Sequence, residues 1–267
     1  MKLNNESKTL FISLLGKAIM SKQDLFLKDK KAEEIISKID YDFKSLKQSK
    51  WLSMYMSLRT LLIDELCNEY ISKNPNLTII YLGCGLDSRC LRVKENYNIW
   101  YDIDYKSVIN LRKEFYEINS KYKMIGSSVL NYNWLNEIKE CENVLIVAEG
   151  LTMYLEKEEI KELLNQINKR FNNVHLIFDA YTNKGVKYSK IKNPVNKMNA
   201  QIKYGFDSTE EFLSLNPNLK HIKTHSIRKE DNNLKGLIKF IFNKLYCGKI
   251  ADSLYKIYEF DLKREIK

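Results

Sequence analysis

The stretch Leu77–Arg89, LTIIYLGCGLDSR, decides the reading of this chain: an apolar run ends in Gly83-Cys84-Gly85, and Asp87, Ser88 and Arg89 follow at once. An apolar run of this length bounded by glycine reads as a buried strand. Glycine there lets the chain turn with φ > 0 and lets a ligand lie against bare backbone. In an open parallel sheet, ligands bind beyond the carboxyl ends of the strands. A strict dinucleotide fingerprint would place a third glycine at position 88, where Ser88 stands, and no Gly-Lys-Ser/Thr marks a triphosphate loop. Asp87 or Ser88 would cap the helix that follows.

Working outward, the same character recurs. Residues 97–104, 121–126, 143–150 and 173–181 are short β-branched and aromatic runs separated by helix-like segments. Such alternation predicts a parallel sheet covered on both faces. Residues 7–70 read as helical, with apolar side chains at three- and four-residue spacing. Residues 219–227 and 254–263 alternate apolar and polar, as strands with one exposed face do. They are expected to pair antiparallel at the sheet edge, with Thr182–Pro217 as loop and short helix over one end of the sheet.

Two strand ends carry acids. The second run ends in Asp102-Ile103-Asp104, with Asp104 21 residues after Gly83. An acid at that distance commonly accepts the hydroxyls of a ribose, and the alternative is that it caps the next helix. Asp102 has the same parity and is the weaker candidate. The fourth run is apolar to Ala148 and then places Glu149 at its tip. A carboxylate there needs a partner, either a ligand's ammonium or ribose or a nearby arginine.

The 267 residues, 44% hydrophobic and 29% charged, suffice for one large α/β unit; nine glycines and three prolines leave no linker. No apolar run is long enough to cross a bilayer, and Leu10–Met20 is interrupted by Lys17, so neither membrane association nor a secretory signal is expected. Five scattered cysteines without metal spacing fit reduced thiols and a cytoplasmic location, and no metal is expected. The net charge of +10 comes mostly from dispersed lysines, which argues against nucleic acid as partner. Nothing in the sequence fixes an oligomeric state.

Seven segments, in order, resemble the leucine carboxyl methyltransferase family, especially its bacterial O-methyltransferases of polyketide synthesis. They are KTLFISLLGKA (8–18), LFLKDKKAEEIISKIDYDF (25–43), SLRTLLIDE (57–65), IIYLGCGLDSRCLRV (79–93), WYDIDYKSVINLRKEFY (100–116), SSVLNYNWLNEI (127–138) and IVAEGLTMYL (146–155). The resemblance implies an α/β, class I S-adenosylmethionine-dependent (Rossmann-like) sheet, with a helical lid over residues 1–75, a core over 76–267 and an antiparallel C-terminal edge. It implies S-adenosylmethionine as cofactor. Arg59 would meet its carboxylate, Gly83 and Gly85 its backbone-facing side, Asp104 the ribose, Ser128 and Val129 the adenine, and Glu149 the methionyl end. Relatives often carry an acid where Ser128 stands, and an arginine where Lys17 stands.

The implied reaction is methyl transfer to a small-molecule carboxylate or hydroxyl, with Lys17 and Tyr154 as positioning candidates. A carboxylate acceptor is already ionised at neutral pH and needs no base, in keeping with the lack of any evident His-Asp or Cys-His pair. AEGLTMY replaces the Asn/Asp-Pro-Pro-Tyr/Phe typical of base and amide methylation. The alternatives are a methyltransferase of protein C-termini or RNA, and a protein that binds S-adenosylmethionine without turnover.

Overall fold

The computed structural model describes residues 5–191, 200–227 and 234–264. Seven strands form one sheet: β1 (Thr78–Leu82), β2 (Ile99–Asp104), β3 (Tyr122–Gly126), β4 (Asn143–Ala148), β5 (Asn173–Tyr181), β6 (Leu219–His225) and β7 (Tyr255–Lys263). Their spatial order is β3-β2-β1-β4-β5-β7-β6. β1 to β5 run parallel, and β7 lies antiparallel between β5 and β6. The expected strands are all present, and the last two do pair antiparallel at the edge.

β1 is buried along its whole length because both faces of the sheet are covered. Its side chains alternate. Ile79 and Tyr81 pack with Leu145 and Val147 against the N-terminal helices. Ile80 and Leu82 pack with Ile146 and Leu176 against the opposite layer. Burying each such aliphatic side chain contributes about 1.5–3 kcal/mol, so the sandwiching layers hold the centre of the sheet.

The N-terminal layer comprises α1 (Asn5–Lys8), α2 (Leu10–Lys22), α3 (Lys30–Lys38) and the long α4 (Lys50–Lys73). The expected continuous helicity over 7–70 is broken between these elements. Asp29 caps α3 by accepting from Ala32 N at 2.9 Å, and Ser49 caps α4 by accepting from Leu52 N at 3.1 Å. The crossovers contribute α5 (Arg89–Arg92), α6 (Lys106–Arg112), α7 (Trp134–Glu137) and α8 (Lys157–Arg170). α8 opens with a capping box between Glu156 and Glu159.

The C-terminal part adds α9 (Asn183–Ser189), α10 (Thr209–Leu213), α11 (Gly236–Tyr246) and α12 (Lys249–Asp252). Residues 192–199, within the expected loop-and-helix segment 182–217, lie outside the described residues. Helix α11 has no counterpart among the sequence expectations. Its run GLIKFIFNKLY keeps a helical period, with Phe242 buried and Leu237 and Phe240 exposed.

At the other end of β5, His175 joins Asp261 at 2.8 Å and Glu259 at 3.1 Å, and Tyr70 of α4 stacks on its ring. Histidine here braces strands, away from the tips of β1 and β4. Among the described residues, no helix is long and apolar enough to cross a membrane.

Candidate functional site

β1 leads outward to β2 and β3 on one side, and β4 and β5 lie on the other, so the chain reverses direction across the sheet at β1 and β4. A crevice opens beyond the strand ends at such a point. Here it is a cavity of about 690 Å³. The tips of β1, β2 and β4 form its floor through Gly83–Asp87, Asp104 and Glu149–Leu151. Leu10, Ser13, Leu14 and Lys17 of α2, with Leu52, Tyr55, Met56 and Arg59 of α4, form one wall. Tyr154, Tyr181, Tyr188, Tyr246 and Tyr255 line the rest, with several aliphatic neighbours.

The glycine turn is built as its sequence predicts. Gly83 has φ 65° and Gly85 φ 53°, in the left-handed region. A Cβ on Gly83 would come within 3.2 Å of Leu151. Gly83 N donates to Ile103 O at 2.8 Å, and Gly85 N to Asp104 Oδ2 at 2.8 Å. The turn and the β2 tip are thereby locked together. Asp104 Oδ1 accepts from Tyr105 N at 2.7 Å, but Tyr105 is itself the N-cap residue of α6 and that helix has no side-chain cap, so Asp104 does not cap it. The carboxyl still lines the cavity, and burial raises its pKa to about 6 against the pull of its two backbone donors.

Asp102 is a different matter. It is wholly buried, held by Arg112 Nη2 at 2.5 Å, by Trp100 Nε1 at 2.7 Å and by the Tyr122 hydroxyl. It does not line the cavity. Arg112 also donates from Nη1 to Gly85 O at 3.1 Å, supporting the turn from beneath.

Glu149 has the arginine partners that the sequence left as one of two options. Arg59 donates to its Oε1 from Nε at 3.1 Å and from Nη2 at 2.6 Å, Thr60 donates to the same oxygen at 2.9 Å, and Arg89 donates to Oε2. Burial pushes the Glu149 carboxyl up, but Arg59 and Arg89 outweigh it and hold the pKa at about 2. The pair is buried yet remains on the cavity wall.

Lys17 likewise lines the cavity and pairs with Asp87 at 2.7 Å. Asp87 also accepts from Arg92 at 2.9 Å and from the Tyr81 hydroxyl at 3.0 Å. Burial favours its neutral form, but Arg92, Lys17 and Arg89 keep it ionised well below the usual range. Capping of the helix after the glycine turn is therefore not the role of this acid. Ser88 occupies the N-cap position without bonding to it, and its hydroxyl donates instead to Asp29 at 2.6 Å.

Ser128 and Val129 do not line the main cavity. Val129 packs in the core, and its carbonyl accepts from Trp134 Nε1 at 3.1 Å; Ser128 Oγ accepts from Leu130 N at 3.3 Å. Their turn abuts the β2 tip through Ser127 N, which donates to Asp104 O at 2.9 Å. Tyr154 ends a short 3-10 turn (Thr152–Tyr154) and is half-buried against the core while lining the cavity.

Sequence reasoning missed Asp179 and Tyr255. Asp179, near the end of β5, accepts from Gly150 N at 2.7 Å and from the Tyr255 hydroxyl, and lies 3.4 Å from Arg59 Nη1. Arg59 Nη1 donates to Tyr255 Oη at 3.0 Å. Burial raises the Asp179 pKa against the pull of Arg59. An acid within the apolar run LIFDAY was a usable signal, because a buried carboxylate demands partners. Tyr255 gave none, since its partner Arg59 lies 196 residues away.

A parallel five-stranded core with an antiparallel edge, and acids and glycines gathered at its β1/β4 crevice, defines a class I S-adenosylmethionine-dependent methyltransferase. The comparisons name the family. A model described as "Leucine carboxyl methyltransferase" matches residues 3–168. The tetracenomycin polyketide synthesis O-methyltransferase TcmP of Streptomyces glaucescens is 29% identical over 221 residues, covering 82% of each chain. The S-adenosyl-L-methionine-dependent methyltransferase dpfgK of Gibberella zeae is 28% identical over 244 residues, covering 82% of this chain and 81% of its own. Among solved structures, a DUF574 family protein from Streptomyces avermitilis superposes with a TM-score of 0.61 at 8% identity, covering 87% of this chain and 95% of its own, a likeness of fold alone. The chain belongs to the leucine carboxyl methyltransferase family, and it is an enzyme that uses S-adenosylmethionine.

Proposed function

We propose that the protein transfers a methyl group to an oxygen of a small-molecule carboxylate held in the 690 Å³ cavity. One observation carries this choice over a hydroxyl acceptor. No histidine lines the cavity among the described residues, and its three carboxylates are all engaged: Asp87 by Lys17 and Arg92, Glu149 by Arg59 and Arg89, Asp104 by two backbone donors. Among the described lining residues, neither a histidine nor an unpaired carboxylate stands ready to take a proton from an alcohol. A carboxylate has none to give up at neutral pH.

The lining fits S-adenosylmethionine group by group. Positive-φ glycines leave its approach open. Arg59, with Lys17 nearby on the same wall, suits the amino-acid carboxylate, and Glu149 the ammonium. That zwitterion competes for the bonds Arg59 and Glu149 make to one another. Asp104 suits the ribose hydroxyls, and the Ser128-Val129 turn, outside the cavity lining but abutting the β2 tip, lies where the adenine would extend. The surrounding network sets five carboxylates (Asp29, Asp64, Asp87, Glu149 and Asp179) against four cations (Lys17, Arg59, Arg89 and Arg92), a surplus suited to a ligand of net positive charge. When bound, the cofactor would supply an electrophilic methyl group carried on a sulfonium. The chain's part is to align acceptor and methyl and to exclude water, with α2 and α4 as the lid over residues 1–75 and Tyr154 as part of the acceptor wall. No disulfide joins the five cysteines, which suits a reducing, cytoplasmic setting.

The test is incubation with methyl-labelled S-adenosylmethionine and matched panels of carboxylic acids, phenols and alcohols, read by mass spectrometry. Label in methyl esters is the expected result. Label confined to ethers would overturn the carboxylate assignment, and label in a peptide C-terminus or RNA in preference to every small acid would overturn the small-molecule one.

A further inference from the structure

The exposed residues lining the cavity fall in two places. Tyr105 stands beside Asp104, and Tyr188, Ile191 and Leu245 come from α9, its C-terminal flank and α11. This second mouth has an unusual rim. Ile191 is 77% exposed and Tyr188 59%, and on α11, outside the cavity lining, Leu237 is 72% and Phe240 66% exposed. On the helical period of α11, Leu237, Phe240, Ile241 and Lys244 share the outward side, while Phe242 and Tyr246 turn inward to stack on Trp51.

Positive charge predominates along these segments. Residues 182–191 carry Lys184, Lys187 and Lys190 and no acid, and residues 234–252 carry Lys235, Lys239, Lys244 and Lys249 against one acid, Asp252. Two segments far apart in the chain therefore repeat one pattern at one opening, large apolar tips among lysines. Exposed apolar patches of this kind mark interaction surfaces.

The pattern selects the partner. A second copy related by a two-fold axis would bring these lysines against their own equivalents, which is repulsive. Apolar tips that sink into the headgroup boundary, with lysines reaching phosphates above, match an anionic bilayer. We propose that the rim formed by α11, Tyr188 and Ile191 rests on an anionic lipid surface. This differs from the expectation of no membrane association, which considered only spanning segments. The docking goes beyond the methyl-transfer reading and does not depend on it. A lipid-dissolved acceptor would then enter this mouth without crossing water, and that consequence does rest on the reading.

The experiment is flotation of the full chain with vesicles of phosphatidylglycerol and phosphatidylcholine, and with phosphatidylcholine alone. Co-flotation at least about tenfold stronger with the anionic vesicles, and weakened by salt, is expected. The double variant Leu237→Glu/Phe240→Glu, whose side chains lie outside the cavity lining, should lose that binding at least about tenfold while keeping its melting temperature and cofactor affinity. Three results would each overturn the proposal: no co-flotation of the wild type, equal flotation of the folded double variant, or a wild-type dimer that the double variant dissolves while no vesicle is bound.

Discussion

Arg112–Asp102 and Arg59–Glu149 are the same chemistry in two settings. Both are buried arginine–carboxylate pairs against the sheet. Arg112 spends its remaining donors on Gly85 O and the Tyr122 hydroxyl, lies over the Tyr116 ring, and with Asp102 is sealed from the cavity. Arg59 and Glu149 instead stand on the cavity wall, backed by Thr60, Arg89, Tyr255 and Asp179. A sealed pair can only hold structure. A pair on a wall can also exchange partners with a ligand. Position relative to the strand tips separates the two roles, and residue type does not.

The comparison can be broken most directly at the sealed pair. Asp102→Asn should leave the Arg112 charge buried and without its counterion, lowering the unfolding free energy by about 3–5 kcal/mol in denaturant titration. Its cofactor affinity, measured while still folded, should change far less. If affinity falls as steeply as stability, the sealed pair is part of the binding site. Glu149→Gln sharpens the other half. Cofactor binding by calorimetry should weaken by about 1–3 kcal/mol, because a charge-assisted bond to the ammonium is lost; unchanged affinity would remove Glu149 from the site.

Asp104 supplies a pH signature that neither pair has. Its pKa of about 6 without ligand means that it is protonated in more acidic solution, and ribose hydroxyls are better accepted by the carboxylate. Affinity should therefore fall as pH drops through about 6, and Asp104→Asn should flatten that dependence. Stability of the free protein runs the other way. A raised pKa favours the folded state at low pH, and that contribution disappears as pH rises through about 6. The smallest effect is expected of Tyr255→Phe, which deletes the donor to Asp179 and the acceptor for Arg59. Loss of about 1 kcal/mol in cofactor binding, with kcat nearly unchanged, would identify Tyr255 as a positioning residue.

Local patterns made much of this legible. The strands are short apolar runs closed by glycine or acid, and Gly83, Asp104 and Glu149 sit at tips that sequence alone can place. What stayed hidden depends on long-range pairing. No spacing announces that Tyr255 meets Arg59, or that Ser88 serves Asp29 instead of its own helix. Helix α11 escaped notice because an exposed apolar face erases the polar half of the usual signal. Arg59 and Glu149 were both named, but not as partners, since residues 90 apart carry no mark of contact.

The sheet order has a consequence for synthesis. β7 follows β6 in the chain yet lies between β5 and β6, so β6 has no strand to join until β7 emerges from the ribosome. Tyr255, at the start of that strand, arrives at Arg59 at the same late moment. A nascent chain stalled before Tyr255 would hold most of its core and still lack a finished edge, so the contact that backs Arg59 arrives only with that strand.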